Sequence, residues 1–268
     1  MSFHLKYPTS SPEYVRPATI DDLKSKELFE EVNKSSLKEL AAHSKICKLS
    51  AHKSLPPTRE GVDYMYVIIS GYVAIWLPSR LIHMGESFLA WRGPEQIIGE
   101  MKSIGDKPSE ARITTCDPCE FIEFRSDVLT KMAEVTPRLY RNVARLLMEK
   151  LHQERHRAEV IQITPAQRKV AQTLLYLAEE RCGKILPVKS NMFAIPGIIH
   201  QDEIGAYIGA ERETINRILC NFKSIKMISY TSNKHGCEIT IINRKGLDNI
   251  ACKPSARRAQ IRRSKSPI

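Results

Sequence analysis

A short polar run in the C-terminal third of the chain has the residue types and the spacing that read DNA bases. Two arginines stand five positions apart, and a glutamate directly follows the first of them. The planar fork of arginine fits O6 and N7 of guanine, and glutamate accepts a hydrogen bond from the N4 amino group of cytosine. The run therefore predicts sequence-specific contact with double-stranded DNA. The candidate contact residues in it are Arg212, Glu213, Thr214, Asn216 and Arg217.

The segment around this run predicts two short helices joined by a tight turn. Apolar residues recur at helical spacing in residues 201–208 and in a second stretch that begins at Glu211 or Arg212. Gly209 allows the turn, because a residue without a Cβ tolerates a positive φ. This pattern is typical of a helix-turn-helix, whose second helix enters the major groove. The alternative is an amphipathic surface helix whose charges are merely solvated. The expected buried residues are Ile204, Tyr207, Ile208, Ile215, Ile218, Leu219 and Phe222.

The sequence IGAERETINRIL is similar to the recognition segment of the cyclic AMP receptor protein/FNR family of bacterial regulators. The Arg-Glu-x-x-x-Arg core of that segment is intact as Arg212, Glu213 and Arg217. The resemblance implies that these residues read a TGTGA-type half-site. Gln201, at the start of the motif, is a further candidate contact. The resemblance also implies contact with RNA polymerase, which no residue pattern indicates independently.

Flanking segments predict a complete winged helix-turn-helix domain over residues 164–252. Residues 167–180 form an amphipathic pattern that resembles the first helix of the family's DNA-binding domain. A short strand is expected in 193–199, and two more are expected in 228–230 and 238–242, with a wing between them. Lys234, near the tip of that wing, is suited to a phosphate contact.

A different texture, with short apolar runs broken by glycine and proline, extends from Cys47 to Phe124. It predicts a small β-barrel or roll, in which YVIISGYVAIW forms a hairpin around Ser70-Gly71. The segment, with IIGEM after it, resembles the family's cyclic-nucleotide-binding β-roll; a generic β domain without a ligand is the alternative. The expected fold class is α+β, with a cyclic-nucleotide-binding-like roll over residues 20–135, a long helix and the winged domain.

The nucleotide-binding cassette of the family is only partly matched. The resemblance assigns the Gly-Glu pair at 99–100 to its start, where the glutamate contacts a ribose hydroxyl. Its closing Arg-Ser-Ala aligns with SEA at 109–111, so the arginine is missing and Glu110 would repel a phosphate. Arg112 compensates if both residues share one face of a strand. On the long helix, Glu154-Arg155 replaces a Thr-Ser pair that meets the adenine. The candidate effector residues are Gly99, Glu100, Ser109, Glu110, Arg112, Glu154 and Arg155.

Both departures predict a regulator that does not use ordinary cyclic AMP and needs no cofactor. Gating by another nucleotide or by a small molecule is the alternative within the same architecture. If the roll binds no cyclic AMP, Glu100 and the glycine before it are inherited turn residues.

A long helix is predicted for residues 136–163, with Thr136 as its N-cap and Pro137 at its first position. In the family this helix pairs with its copy in a second subunit, so the resemblance implies a homodimer that reads palindromic half-sites about one helical turn apart. Packing on its own domain alone is the alternative. The apolar seam that would pair comprises Leu139, Val143, Leu146, Leu147 and Leu151.

Composition narrows the class of partner. The 268 residues carry a formal net charge of +11 and 42% hydrophobic residues, which favours a folded protein with a polyanionic partner. No apolar run approaches the ~18 residues of a membrane span, and the N-terminus lacks a secretory apolar core. A cytoplasmic protein with no membrane partner is expected. Residues 1–19 and the basic residues 253–268 are expected to be flexible tails.

The remaining alternative is a redox or metal sensor that works through cysteine residues. Seven scattered cysteines fit reduced thiols better than a disulfide framework. Cys116 and Cys119 form a Cys-x-x-Cys, which in other proteins is redox-active or half of a metal site. A second pair at zinc spacing is absent from the sequence, so no metal site is assigned. The sequence also lacks a phosphate loop and a nucleophile elbow, and the protein is not expected to be an enzyme.

Overall fold

The computed structural model describes residues 8–252 except 57, 79–85, 101–109, 183–190, 234 and 235. They fall into two compact units, Met1–Glu154 and Arg155–Ile268. The division lies inside a helix and ahead of residue 164, where the winged domain is predicted to begin, so the predicted domain boundaries stay predictions. The predicted tail at 253–268 and the first seven residues lie outside the described residues.

In its described residues, the first unit combines ten strands with flanking helices. The strands are β1 (Glu13–Pro17), β2 (Ser44–Leu49), β3 (Ser54–Leu55), β4 (Thr58–Arg59), β5 (Val62–Ser70), β6 (Val73–Pro78), β7 (Glu86–Arg92), β8 (Ile97–Ile98), β9 (Arg112–Thr115) and β10 (Cys119–Arg125). The helices are α1 (Ile20–Lys24), a 3-10 turn (Glu27–Phe29), α2 (Lys34–Ala42), α3 (Ser126–Val135) and the beginning of α4 (Pro137–Ile161).

Two antiparallel sheets form the predicted roll. One has the strand order β1-β2-β10-β5-β4 with β8 beside β5, and the other has the order β3-β9-β6-β7. Tyr66, Val73 and Phe121 belong to a buried cluster between strands of the two sheets. A second cluster, with Leu37, Ile46 and others, covers the first sheet with α1 to α4. The cyclic-nucleotide-binding-like roll of the sequence analysis is confirmed as a fold.

The hairpin predicted at Ser70-Gly71 is wrong. β5 pairs with β10, β4 and β8, whereas β6 pairs with β7 and β9, so the two strands lie in different sheets. Gly71 turns the chain between the sheets at φ +82°, and a Cβ there would lie 2.6 Å from the Pro118 carbonyl oxygen. Both strands have buried residues in succession instead of alternating ones. A turn signal between such strands does not say which partner each will take.

The N-terminal segment also differs from the prediction. Residues 13–17, assigned to a flexible tail, form β1 on the edge of the first sheet because their backbone pairs with β2. The helix α2 is capped by Asn33, whose side chain accepts from the Ser36 N–H at 2.8 Å. This bond satisfies one of the free N–H groups of the first turn.

The predicted apolar seam of α4 divides between two faces. Leu139, Val143 and Leu146 are buried in the core of the first unit, and Leu147 packs against the same core. Leu151 is 53% exposed, and two apolar residues outside the predicted seam are also exposed, Tyr140 at 44% and Met148 at 52%. The helix therefore packs on its own unit with one face and presents a second apolar face to solvent.

The second unit is a helical domain with a small sheet. Its elements are α5 (Ala166–Cys182), β11 (Phe193–Ala194), α6 (Gln201–Ile208), α7 (Arg212–Ser224), β12 (Ile228–Asn233), β13 (Gly236–Ile241) and α8 (Arg244–Cys252). The sheet order is β11-β13-β12, which confirms the predicted strand ahead of the motif and the wing after it. The helix α8 was not predicted; its Leu247 and Ala251 are buried. Among the described helices of both units, none has the length and apolar character needed to cross a membrane.

Candidate DNA-binding surface and nucleotide pocket

The two helices of the motif are fixed at their junction by glycine. At the start of α6 the His200 N–H donates to the buried Glu203 carboxylate at 3.4 Å. The helix ends at Gly209, whose φ of +72° is left-handed as predicted. A Cβ on Gly205 would lie 2.6 Å from the Ala210 carbonyl oxygen, so the turn passes directly over that glycine. The close approach sets where α7 begins relative to α6.

The helix α7 has one face in the core and one in solvent. Every apolar residue expected to be buried in the motif is buried. The helix starts after Glu211, whose backbone is extended, and its first two residues are exposed. Thr214 is half-buried, and the remaining candidate contacts on this helix are exposed: Arg212, Glu213, Asn216 and Arg217.

Two weak contacts orient the predicted reading residues before any DNA is bound. The Arg212 guanidinium lies 3.6 Å from the Asp202 carboxylate, with the arginine side chain 56% exposed. The Gln201 amide donates to the Asn216 side-chain oxygen at 3.5 Å. Exposed pairs of this kind hold a side chain only loosely, so it can exchange its partner for a base at little cost. Gln201 thus lies beside α7, while Lys234 lies outside the described residues.

The wing is tied to α7 by residues that the sequence analysis did not assign a role. Lys223 donates to the Tyr230 carbonyl oxygen at 3.3 Å, and its amino group lies 4.8 Å from the centre of the Tyr230 ring. The Cys220 thiol and the Tyr230 hydroxyl are 3.3 Å apart. Cys220 follows Asn216 by one helical turn, which is the sequence signal that places it near the reading face.

Glu100, the predicted ribose contact, already has a cationic partner. Its carboxylate accepts from the Lys150 ammonium group at 2.7 Å, and the two side chains are 11% and 13% exposed. Burial lowers the pKa of Lys150 from 10.5 to about 8, against the opposing effect of Glu100. Lys150 lies on α4 and was not predicted as a site residue. Its position one turn before Glu154 was the available signal.

Arg92 forms a second buried charge in the same region. One of its terminal nitrogens donates to the Gln153 side chain at 2.8 Å, and the other lies 3.5 Å from the Glu154 carboxylate. The Arg92 residue is 4% exposed. Glu154, one of the predicted effector residues, therefore meets an arginine of β7. Arg155, the other predicted residue on this helix, is exposed.

Three predicted effector residues have other surroundings than expected. Arg112 does not compensate Glu110: it forms an ion pair with Glu86, with Nε and Oε1 at 2.7 Å, because β7 and β9 both flank β6. Glu110 precedes the strand and is exposed. Gly99 has φ +87°, and a Cβ there would lie 2.5 Å from the Tyr64 carbonyl oxygen, which gives this glycine a backbone role. Ser109 lies outside the described residues.

Both thiols of the Cys-x-x-Cys are buried. Neither Cys116 nor Cys119 forms a disulfide, and the same holds for the other five cysteines. Burial raises the pKa of Cys119 well above its usual range, and its thiol donates to two backbone carbonyl groups. A buried thiol of this kind is a poor nucleophile, which weighs against the redox alternative. Within the described residues, no cluster of three metal-binding side chains occurs.

Two family models match the chain. A cyclic nucleotide-binding domain matches residues 48–135, and a Crp-like helix-turn-helix domain matches residues 168–250. The chain belongs to the CRP/FNR family of transcriptional regulators. It is a CRP-like regulator with a helix-turn-helix DNA-binding domain, and the regulators of this family are not enzymes.

Similar proteins have the same architecture over most of their length. The chain is 28% identical over 160 residues to a CRP-like cAMP-activated global transcriptional regulator of Mycobacterium tuberculosis, covering 60% of this chain and 69% of the relative. It is 24% identical over 207 residues to the cAMP-activated global transcriptional regulator CRP of Pasteurella multocida, covering 77% of this chain and 94% of the relative.

Solved structures agree at the level of the fold. FixK2 from Bradyrhizobium japonicum superposes with a TM-score of 0.61 at 19% identity, covering 79% of this chain and 99% of FixK2. A CooA mutant from Carboxydothermus hydrogenoformans gives a TM-score of 0.60 at 15% identity, covering 90% and 100%. At these identities the likeness supports the fold alone.

Proposed function

We propose that this CRP/FNR-family chain acts as a homodimer that recognises a palindromic, TGTGA-like DNA site and regulates transcription without ordinary cyclic AMP. The observation that carries the proposal is the polar face of α7. Arg212, Glu213 and Arg217 keep the family's spacing and are exposed on a helix whose opposite face is buried. These three residues read bases, and Thr214, Asn216 and Gln201 assist them.

Affinity comes from a separate set of charges. The formal net charge of +11 attracts the phosphate backbone of DNA. Binding releases counterions from the DNA, so added salt lowers the affinity. Lys234 and the basic residues 253–268, outside the described residues, are proposed phosphate contacts. Contact with RNA polymerase belongs to the proposal through the family resemblance.

Dimerisation is supported by the second apolar face of α4. Tyr140, Met148 and Leu151 are exposed large apolar side chains on one helix. Helices with apolar residues at three- and four-residue steps pair with one another in coiled coils. Two copies of α4 bury this face together and present two α7 helices to half-sites about one helical turn apart.

Independence of cyclic AMP is supported by the pocket residues. The family cassette ends in Arg-Ser-Ala, whereas this chain has Ser-Glu-Ala and directs Arg112 to Glu86. The carboxylate expected to meet the ribose is bound to Lys150. Two relatives are named as cAMP-activated. Similarity to them does not by itself mean that this chain binds the same ligand.

Site selection from random duplexes, followed by titration of the selected site, tests the DNA contacts. Arg212→Ala is expected to weaken specific binding by about 1–3 kcal/mol, or roughly 5–150-fold, and to relax selection at one base pair. Loss of a bidentate contact removes discrimination at the base it read.

Arg125→Ala is the matched control. Arg125 lies in the β-roll, is 53% exposed and pairs with Asp127, so the change removes the same charge at similar exposure. Its effect should be small and equal on all sequences. An equal loss for Arg212→Ala on the selected and the scrambled duplex would show that Arg212 contacts phosphate only. Failure to select any two-fold-symmetric site would defeat the proposed function.

A further inference from the structure

The last turns of α4 belong to the same unit as the helix-turn-helix. The helix extends to Ile161, whereas the second unit begins at Arg155. Arg157, within this segment, donates to two backbone carbonyl oxygens of α6, from Nε to Tyr207 at 3.3 Å and from Nη2 to Ala206 at 3.4 Å. The helix that is proposed to pair two subunits is therefore bonded to the helix that leads into α7.

The C-terminal end of α6 depends on donors from outside the helix. The last four carbonyl groups of a helix have no partner in its regular hydrogen-bond pattern. Here the Gly205 carbonyl accepts from the Ala210 N–H at 2.9 Å, and the Ile208 carbonyl accepts from the Lys169 ammonium group at 3.2 Å. Arg157 bonds the two carbonyl groups between them. Its positive charge also lies at the negative end of the helix dipole, where cations are stabilising.

Ring contacts hold the same segment of α4 against α5 and α6. The His156 ring stacks on Tyr176 of α5, with the ring centres 4.4 Å apart. Tyr176 lies 6.4 Å from the buried Tyr207 ring, with the two planes 9° apart, and the Arg157 guanidinium group lies 5.4 Å from the centre of the same ring. A guanidinium group near an aromatic face is attracted to it, which adds to the hydrogen bonds. Two adjacent residues of α4 therefore contact two helices of the winged domain.

We propose that Arg157 is a positioning residue for DNA recognition: it fixes α6, and with it α7, on the last turns of α4, so that pairing of two α4 helices sets the distance between the two reading faces. Only residues 209–211 separate α6 from α7, and Gly205 packs directly against that turn. A helix α6 that is held by α4 therefore holds α7 as well. This inference rests on the proposed function, in which a homodimer reads a palindrome, and names the side chain that connects the dimer helix to the reading helix.

The spacing of the half-sites tests the proposal. Fluorescence anisotropy measures binding to four duplexes: the selected palindrome, the same palindrome with one base pair added or removed between its half-sites, and a single half-site. One base pair rotates the second half-site by about a tenth of a helical turn. Two linked binding events reinforce each other only where the geometry lets both engage. Wild type should therefore bind both respaced duplexes at least about tenfold more weakly than the selected one.

Arg157→Ala releases α6 from α4, so this spacing penalty should fall below about threefold, with a weaker affinity for the selected palindrome. Its affinity for the single half-site should stay within about threefold of wild type, because the base-reading side chains are unchanged. A merely destabilised α6 would lower the affinity for all four duplexes alike and leave the penalty intact. A penalty as large as that of wild type overturns the proposal.

Lys169→Met is the matched control. Lys169 is half-buried like Arg157 and bonds the last turn of the same helix, but it does so from α5. Its loss removes a cation from the same helix end and leaves the contact with α4 in place, so the spacing penalty should remain that of wild type. An equal fall of the penalty in Lys169→Met would attribute the effect to a weakened helix end and would overturn the role of Arg157.

Arg157→Lys covers the case in which Arg157→Ala folds poorly. Lysine keeps the charge but lacks the planar fork that reaches two carbonyl groups and an aromatic ring together. The spacing penalty of Arg157→Lys should be clearly smaller than that of wild type, and an equal penalty overturns the proposal. Failure of wild type to bind any palindromic duplex would defeat the proposed function. A wild-type spacing preference that survives the substitutions of Arg157 would defeat this inference alone.

Discussion

At the scale of single residues, the predicted DNA-reading side chains and the pocket side chains are held in opposite ways. Arg212 is exposed and only 3.6 Å from its carboxylate, an arrangement worth little in water. Lys150 and Arg92 are buried and bound to charged or amide partners. A reading residue must release its partner when a base arrives, whereas a buried charge must keep its partner. The same residue types are therefore loosely held in one unit and firmly paired in the other.

The burial of Lys150 predicts a pH dependence of stability. Below about pH 8 this lysine is protonated in both the folded and the unfolded chain and contributes no slope. Between about 8 and 10.5 the folded state has lost the proton that the unfolded state retains, so the contribution of this group to stability rises with pH. Denaturant unfolding of wild type and of Lys150→Met across that range measures it. The variant should lack the rise; parallel curves would contradict the assignment.

At the scale of elements, the helix-turn-helix depends on two glycines for different reasons. Gly209 is needed for its backbone angle, whereas Gly205 is needed for the space that the turn occupies. A helical pattern in the sequence does not distinguish the two, because only the folded turn brings Ala210 over Gly205. The position of α7 relative to α6 therefore rests on a contact four to five residues away in sequence.

Substitutions at these glycines should separate the two roles. Gly205→Ala places a Cβ 2.6 Å from a backbone oxygen and should cost about 1–3 kcal/mol of stability, as overpacking does. Gly209→Asn should cost less than about 1 kcal/mol, since asparagine tolerates the left-handed region and a Cβ there would meet no described atom within 4 Å. Urea unfolding measures the free energy of unfolding of both variants and so ranks their losses. A reversed order would show that the backbone angle limits the turn.

The long helix α4 supports a prediction about assembly. Leu151→Glu puts a charge on its exposed apolar face, and two such charges would meet in a dimer. Sedimentation should show a shift of the variant from dimer to monomer. Its affinity for the palindromic site should fall strongly, and its affinity for a single half-site should fall less. Leu77→Glu, at another exposed leucine of the β-roll, should leave the dimer unchanged. A dimeric Leu151→Glu protein would mean that another surface joins the subunits.

At the scale of the whole molecule, each of the two units contains the match to one family model, a cyclic nucleotide-binding domain in the first and a Crp-like helix-turn-helix domain in the second. Each unit has its own buried apolar residues. The formal charge of +11 acts on both, because long-range attraction to DNA sums over the chain. We therefore expect affinity to depend on the whole chain and sequence preference to depend on the exposed face of α7.

Deletion of residues 253–268 tests the summed charge. This segment carries six cationic and no acidic side chains. Each phosphate contact contributes about 0.9 to the slope of log Kobs against log salt, so the deletion should make the slope shallower by up to about five. Site preference at constant salt should not change. An unchanged slope would mean that the segment stays away from DNA.

The amino-acid sequence by itself determined the local elements and the reading face. The stripe of Ile215, Leu219 and Phe222, the turn glycine and the charged residues between them are all encoded within about twenty residues, and helical periodicity places them without further information. The roll was also predicted as a class, from short apolar runs and turns. The edge strand β1 was missed, because its pairing depends on a distant strand, β2.

Tertiary structure decided which distant residues meet. The hairpin at Ser70-Gly71 failed because strands buried on both faces have no alternation to fix their partner. Arg112 was expected beside Glu110 but pairs with Glu86, across two strands of one sheet. Lys150 reaches Glu100 from fifty positions away. Local periodicity specifies which side of an element is buried, and only packing specifies what lies opposite it.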